Sequence, residues 1–92
     1  MEKSDIMSEK GFIYILEKYP FYEGSRIVFV SDNIERTLAE FEKIKEPGYG
    51  YMIKKYPTDI FWDDYRFGEI VKHQELRADG LYDWNGDDWQ MI

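Results

Sequence analysis

The chain has no cysteine. It can form neither a disulfide framework nor a thiolate metal site, which fits a reducing compartment. Long apolar runs are also missing, and the N-terminus has no signal-peptide pattern. These absences point to a soluble intracellular protein. Lys and Arg are few, 12 against 19 Asp and Glu, for a net charge of −7. Proteins that bind nucleic acid directly neutralise phosphates with basic side chains, and anionic membrane surfaces attract the same residues. Neither partner is expected here. A basic protein, a cation, or a partner indifferent to charge remains.

Catalytic residue types are scarce. His73 is the only histidine. A catalytic histidine needs a nucleophile or a second acid–base group in reach. Ser4, Ser8, Ser25 and Ser31 stand in no nucleophile-elbow context. His73 reads as a surface or packing residue of a strand. Asp63-Asp64 and Asp87-Asp88 are adjacent pairs, and neighbours in a strand point to opposite faces, so neither is a natural dyad. Asp83, Asn85 and Asp87 stand at the alternate places of a calcium loop. Asp88, however, stands where the loop needs glycine, and the sequence stops before the place of the final bidentate Glu. Gly48-Tyr49-Gly50 is a turn, not a phosphate cradle. No enzyme activity, metal or cofactor is expected.

Aromatics are abundant, with eight Tyr, six Phe and three Trp in 92 residues. Large rings bury much area per residue, which suits one small domain over 1–92 without staples. Residues 1–9 are polar and read as a loose N-terminal segment. Residues 11–16 form a first strand, 19–24 a turn, and 26–30 a second strand paired antiparallel to the first. Asp32 with Glu35 makes a capping box for a helix over about 33–45. Ile34, Leu38, Phe41 and Ile44 are its apolar stripe. Pro47-Gly48 ends it. Residues 49–55 form a third strand, with Tyr49, Tyr51 and Ile53 on one face. Thr58 can cap a short second helix near 59–66, and an extended aromatic segment fits the same residues. Strands at 69–76, 81–84 and 88–92 follow, the last two joined by an Asn85-Gly86 two-residue turn. The expected fold is α+β, a mainly antiparallel sheet with one main helix on one face.

The charge is lopsided. Residues 59–92 hold nine acidic side chains against three basic ones, while residues 1–58 hold ten against nine. The nine are Asp59, Asp63, Asp64, Glu69, Glu75, Asp79, Asp83, Asp87 and Asp88. They are interleaved with aromatics, so the tract is folded and presents one sign of charge. Glu75, Asp79, Asp83 and Asp87 recur every fourth residue; with turns between, they make no straight row but place charge regularly along the C-terminal half. Same-face carboxylates on a strand lie about 7 Å apart, and DNA phosphates advance about 3.4 Å per step, so alternate phosphates match that spacing. Such a set can occupy a basic DNA-binding cleft, with Glu35 and Glu42 on the helix as secondary contributors. A small interaction or immunity-type module is the alternative, with Trp84 or Trp89 as hot spots and charge incidental.

The runs Gly-Phe-Ile-Tyr-Ile-Leu-Glu-Lys-Tyr over 11–19 and Ser-Arg-Ile-Val-Phe-Val-Ser-Asp-Asn over 25–33 lead to an Asp/Trp-rich end. With the small size, the acidity and the missing cysteine, they make the chain resemble the anti-restriction nuclease (Arn) family of T-even phages. The resemblance covers the whole chain and rests on overall character, without a diagnostic motif. It implies a phage protein in the host bacterial cytoplasm, acting as a DNA mimic. The implied target is a McrBC-type restriction endonuclease, with other host DNA-binding proteins such as nucleoid proteins as further targets. A homodimer would imitate more of a duplex than a monomer.

Overall fold

A computed structural model of the chain describes residues 11–58 and 68–92. The expected helix or extended segment near 59–66, with Asp59, Asp63 and Asp64, lies outside the described residues. So does the N-terminal segment 1–9. The elements are β1 (Phe12–Pro20), β2 (Arg26–Ser31), α1 (Ile34–Lys43), β3 (Tyr49–Pro57), β4 (Glu69–Arg77), β5 (Gly80–Trp84) and β6 (Trp89–Met91). Among the described residues all pairings are antiparallel, and six strands form one sheet in the order β2-β1-β3-β4-β5-β6. The expected α+β fold is therefore present: among the described residues, a mainly antiparallel sheet with one helix packed on it.

Helix α1 packs across β2, β1 and β3. Leu16 pairs with Phe29 on one side and Ile53 on the other, so all three side chains face the helix. Leu16, Phe41, Tyr51 and Ile53 are fully buried, and Ile34, Leu38 and Ile44 pack against them. This is the apolar stripe read from the sequence. Full burial of a side chain such as Phe41 or Leu16 contributes about 1.5–3 kcal/mol. The Phe41 and Tyr51 rings meet edge to face, with centroids 6.3 Å apart.

Three boundaries depart from expectation. β1 runs on through Tyr19 and Pro20, because its whole length pairs with β3 from Phe12↔Pro57 to Pro20↔Tyr49. The helix N-cap is Asn33, not Asp32. Its extended backbone turns the Asn33 Oδ1 to accept from the Arg36 N–H at 3.0 Å. At the other end the helix stops at Lys43, short of Pro47-Gly48. The buried Tyr51 hydroxyl accepts from the Glu46 N–H and donates to the Glu46 carbonyl, holding that backbone in a non-helical path.

The last hairpin differs too. Trp84 pairs with Trp89, which leaves a four-residue loop, Asn85 to Asp88, in place of a two-residue turn. Asn85 Oδ1 accepts from both the Asp87 and Asp88 N–H groups, and Gly86 sits at φ 104°. The Asn85 N–H also donates to the Asp88 carbonyl at 3.2 Å, so side chain and backbone close the loop together.

Candidate functional site

The sheet's second face carries no helix among the described residues. Strand pairing identifies its side chains. Glu17 pairs with Met52, Met52 with His73, and Glu75 with Tyr82. Tyr19 pairs with Gly50, Gly50 with Glu75, and Tyr82 with Met91. Tyr19, His73, Glu75, Arg77, Tyr82, Trp84 and Trp89 therefore stand together on one face. Six of them come from the consecutive strands β4, β5 and β6, and Tyr19 joins them from β1, more than fifty residues away.

Tyr19 organises the group. Its hydroxyl donates to Glu75 Oε2 at 2.7 Å and lies 2.7 Å from His73 Nε2. The phenol has one proton, and Glu75 receives it. His73 Nε2–H therefore donates to the Tyr19 oxygen, which assigns the tautomer. Burial raises the Tyr19 pKa, and its hydrogen bond to Glu75 adds to the rise. Burial also lowers the His73 pKa, partly opposed by the nearby charge of Glu75. His73 is thus neutral at pH 7 and fixed in direction. Glu75 accepts a second bond from Arg77 Nε at 3.0 Å.

Arg77 is held on both sides. Its guanidinium lies 4.2 Å from the Tyr82 ring centre and 5.2 Å from that of Trp89. Trp89 meets His73 at 4.7 Å and Trp84 at 5.3 Å. Tyr82 in turn donates to Asp79 Oδ2 at 2.6 Å. The result is a continuous stack of half-buried rings around one anchored cation. A hollow of about 320 Å³ opens beside His73 and Trp84, walled by Ile70, Asn85 and Gly86. A larger one, about 620 Å³, lies at the start of α1 and mixes Asp32 and Glu35 with Lys55. The smaller hollow adjoins the aromatic stack, and the larger joins no such network.

The expected carboxylates do not share one face. Glu69 opens β4, exposed, opposite Lys55 on the helix side. Asp83 also lies on the helix side and accepts from Gln74 Nε2 at 3.0 Å. Glu75 is on the other face and already bonded to Tyr19 and Arg77. Asp79 sits in the β4–β5 turn, and Asp87 and Asp88 in the β5–β6 loop, all three exposed. The four-residue interval from Glu75 to Asp87 crosses a turn and a change of face, so it forms no row. Glu35 and Glu42 are exposed on α1, and Glu42 pairs with Lys45 at 3.2 Å.

Sequence reasoning missed Tyr19, Arg77 and the role of His73. Tyr19 stood inside an expected turn, and nothing local joins it to a strand more than fifty residues away. One signal was present: Gly50 in a strand marks a place where something large approaches the backbone. Among the described residues, no group of three metal-ligating side chains converges, and no helix is long and apolar enough to cross a membrane. In comparisons with known proteins, no family model, curated protein or solved structure matches the chain.

Proposed function

We propose that this chain is a non-enzymatic binding protein for a basic protein partner, and that the aromatic half of the open sheet face makes the contact. One observation carries the reading. Arg77, Tyr82, Trp84 and Trp89 form a single pre-organised cluster, with Arg77 locked by Glu75. Tyr, Trp and Arg are the residues that dominate binding energy at protein interfaces. A side chain already held in its bound geometry loses little entropy on association. The exposed Asp79, Asp87 and Asp88 border this cluster and supply an acidic rim. Rim charges chiefly steer the encounter and select the sign of the partner.

A second reading is DNA mimicry. In it the carboxylates replace phosphates in the cleft of a host DNA-binding protein, such as a McrBC-type restriction endonuclease or a nucleoid protein. The net charge of −7 and the exposed Glu69, Asp79, Asp87 and Asp88 favour it. It carries the anti-restriction role and the host-cytoplasmic setting that the resemblance to the Arn family implies.

Capture from bacterial lysate at low and high salt, with duplex DNA as competitor, separates the two. If the aromatic face binds, Trp89→Ala weakens capture at least tenfold at low and high salt, and raised salt weakens it only in part, through the rim charges. If mimicry holds, DNA displaces the captured protein. Changing Glu69, Asp79, Asp87 and Asp88 to Gln or Asn then weakens capture more than tenfold at low salt and flattens its salt dependence. A basic protein whose capture ignores both sets of changes would refute both readings.

A further inference from the structure

We infer that the β2 edge, at the opposite end of the sheet from the aromatic cluster, is a pairing surface for a second copy of this chain. β2 is an outermost strand, bonded to β1 alone among the described strands. It is unusually apolar for an edge: Ile27 is 59 % exposed, Val28 41 % and Val30 52 %. An open edge presents unpaired N–H and C=O groups and invites another strand. Native edges are commonly blunted by an inward-pointing charge, a proline or a bulge. β2 (Arg26–Ser31) has no proline, and its one charged residue, Arg26, stands at its start. It does carry a bulge at Val28, where the register shifts between Leu16↔Phe29 and Glu17↔Ile27.

The charge pattern selects a second copy of the chain as occupant. A two-fold axis makes an interface self-complementary. Two β2 strands pairing antiparallel about Phe29 set Val28 of each copy beside Val30 of the other. The Arg26 end of each then meets the Asp32 end of the other. Arg26 and Asp32 are both exposed. Opposite ends of one edge thus carry opposite charges, and an antiparallel self-pairing matches both at once. A parallel pairing would set like charges together. Only six residues per copy take part, so the interface is small and the association weak. The described strands of the two copies would form one continuous sheet, with α1 of both copies on the same side.

Sedimentation equilibrium of the full chain from about 1 µM to about 1 mM tests this. The expected mass rises from 11.2 kDa towards twice that value as concentration increases. Val30→Lys, at an exposed position, should keep the monomer's circular dichroism and shift the midpoint at least tenfold upward. Arg26→Glu should do the same, and Asp32→Arg combined with Arg26→Glu should restore association. A monomer at every concentration overturns the inference. So does a dimer indifferent to Val30→Lys, or one that the double charge exchange fails to restore. Because the aromatic cluster lies at the far edge, failure here leaves the proposed binding function untouched.

Discussion

The Tyr19 ring lies directly over Gly50. A Cβ built on Gly50 would stand 2.2 Å from Tyr19 Cζ. The glycine is therefore a requirement of the polar–aromatic network on the neighbouring strand. Covering a strand glycine with a ring also protects a backbone that has no side chain of its own. Tyr19 cannot step aside cheaply, because its hydroxyl is bonded to both His73 and Glu75.

Gly50→Ala should therefore destabilise the protein by about 1–3 kcal/mol, the usual cost of forcing extra volume into a packed site. Gly24→Ala meets open space and should stay within about 0.5 kcal/mol of the parent. Urea unfolding of the two variants makes the comparison. Equal effects would show that the Tyr19 ring is free to move.

Stability should depend on pH through His73. Its folded pKa lies below the ordinary 6.5, with burial as the main cause. In the window just below 6.5 the unfolded chain binds more protons than the folded one, so stability falls as pH drops through it. The contribution is fully present above 6.5. Denaturant midpoints between about pH 7.5 and pH 5 should decline in the parent, and His73→Gln should remove most of that decline.

Arg77→Lys keeps the charge and loses the geometry. A lysine has no planar group to lie between Tyr82 and Trp89 while bonding Glu75. A loss of about 1 kcal/mol is expected, with a change in tryptophan fluorescence as Trp89 loses its neighbour. Identical fluorescence in the folded variant would mean that Arg77 does not shape the cluster.

The helix cap supplies a paired test. Asn33→Ala should cost about 1 kcal/mol, since it removes the acceptor for the Arg36 N–H. Asp32→Ala should cost only a few tenths of that, through the helix dipole. Thermal melts of both variants decide which residue caps α1, and a larger loss at Asp32 would contradict the Asn33 cap.

Much of the fold was legible in the sequence because its signals are local. Ile34, Leu38, Phe41 and Ile44 share a helical spacing that any amphipathic helix must have. Tyr51 and Ile53 alternate as a half-buried strand requires. The cap slipped by one residue because Asp32 and Asn33 are both good capping types, and only the backbone angle at Asn33 separates them. The Asn85-Gly86 signal marked the right hairpin with the wrong loop length, since Trp84 and Trp89 pair and fix the register.

The candidate site was far less legible. Its carboxylates were counted correctly, yet their faces follow from turns and bulges that spacing alone does not reveal. Asp83 and Glu75 lie on opposite faces of the sheet although both belong to the same acidic tract.

The sequence by itself determined the α+β class, the helix stripe, the order of strands along the chain and the concentration of acid in the last third. Each follows from short-range periodicity or from composition. Only the tertiary structure decided that Tyr19 meets His73 and Glu75, and that the C-terminal acids divide between two faces. The reason is strand order: β3 lies between β1 and β4, and this places Tyr19 across Gly50 from Glu75. That adjacency is set by the pairing of whole strands, and no local pattern in the chain encodes it.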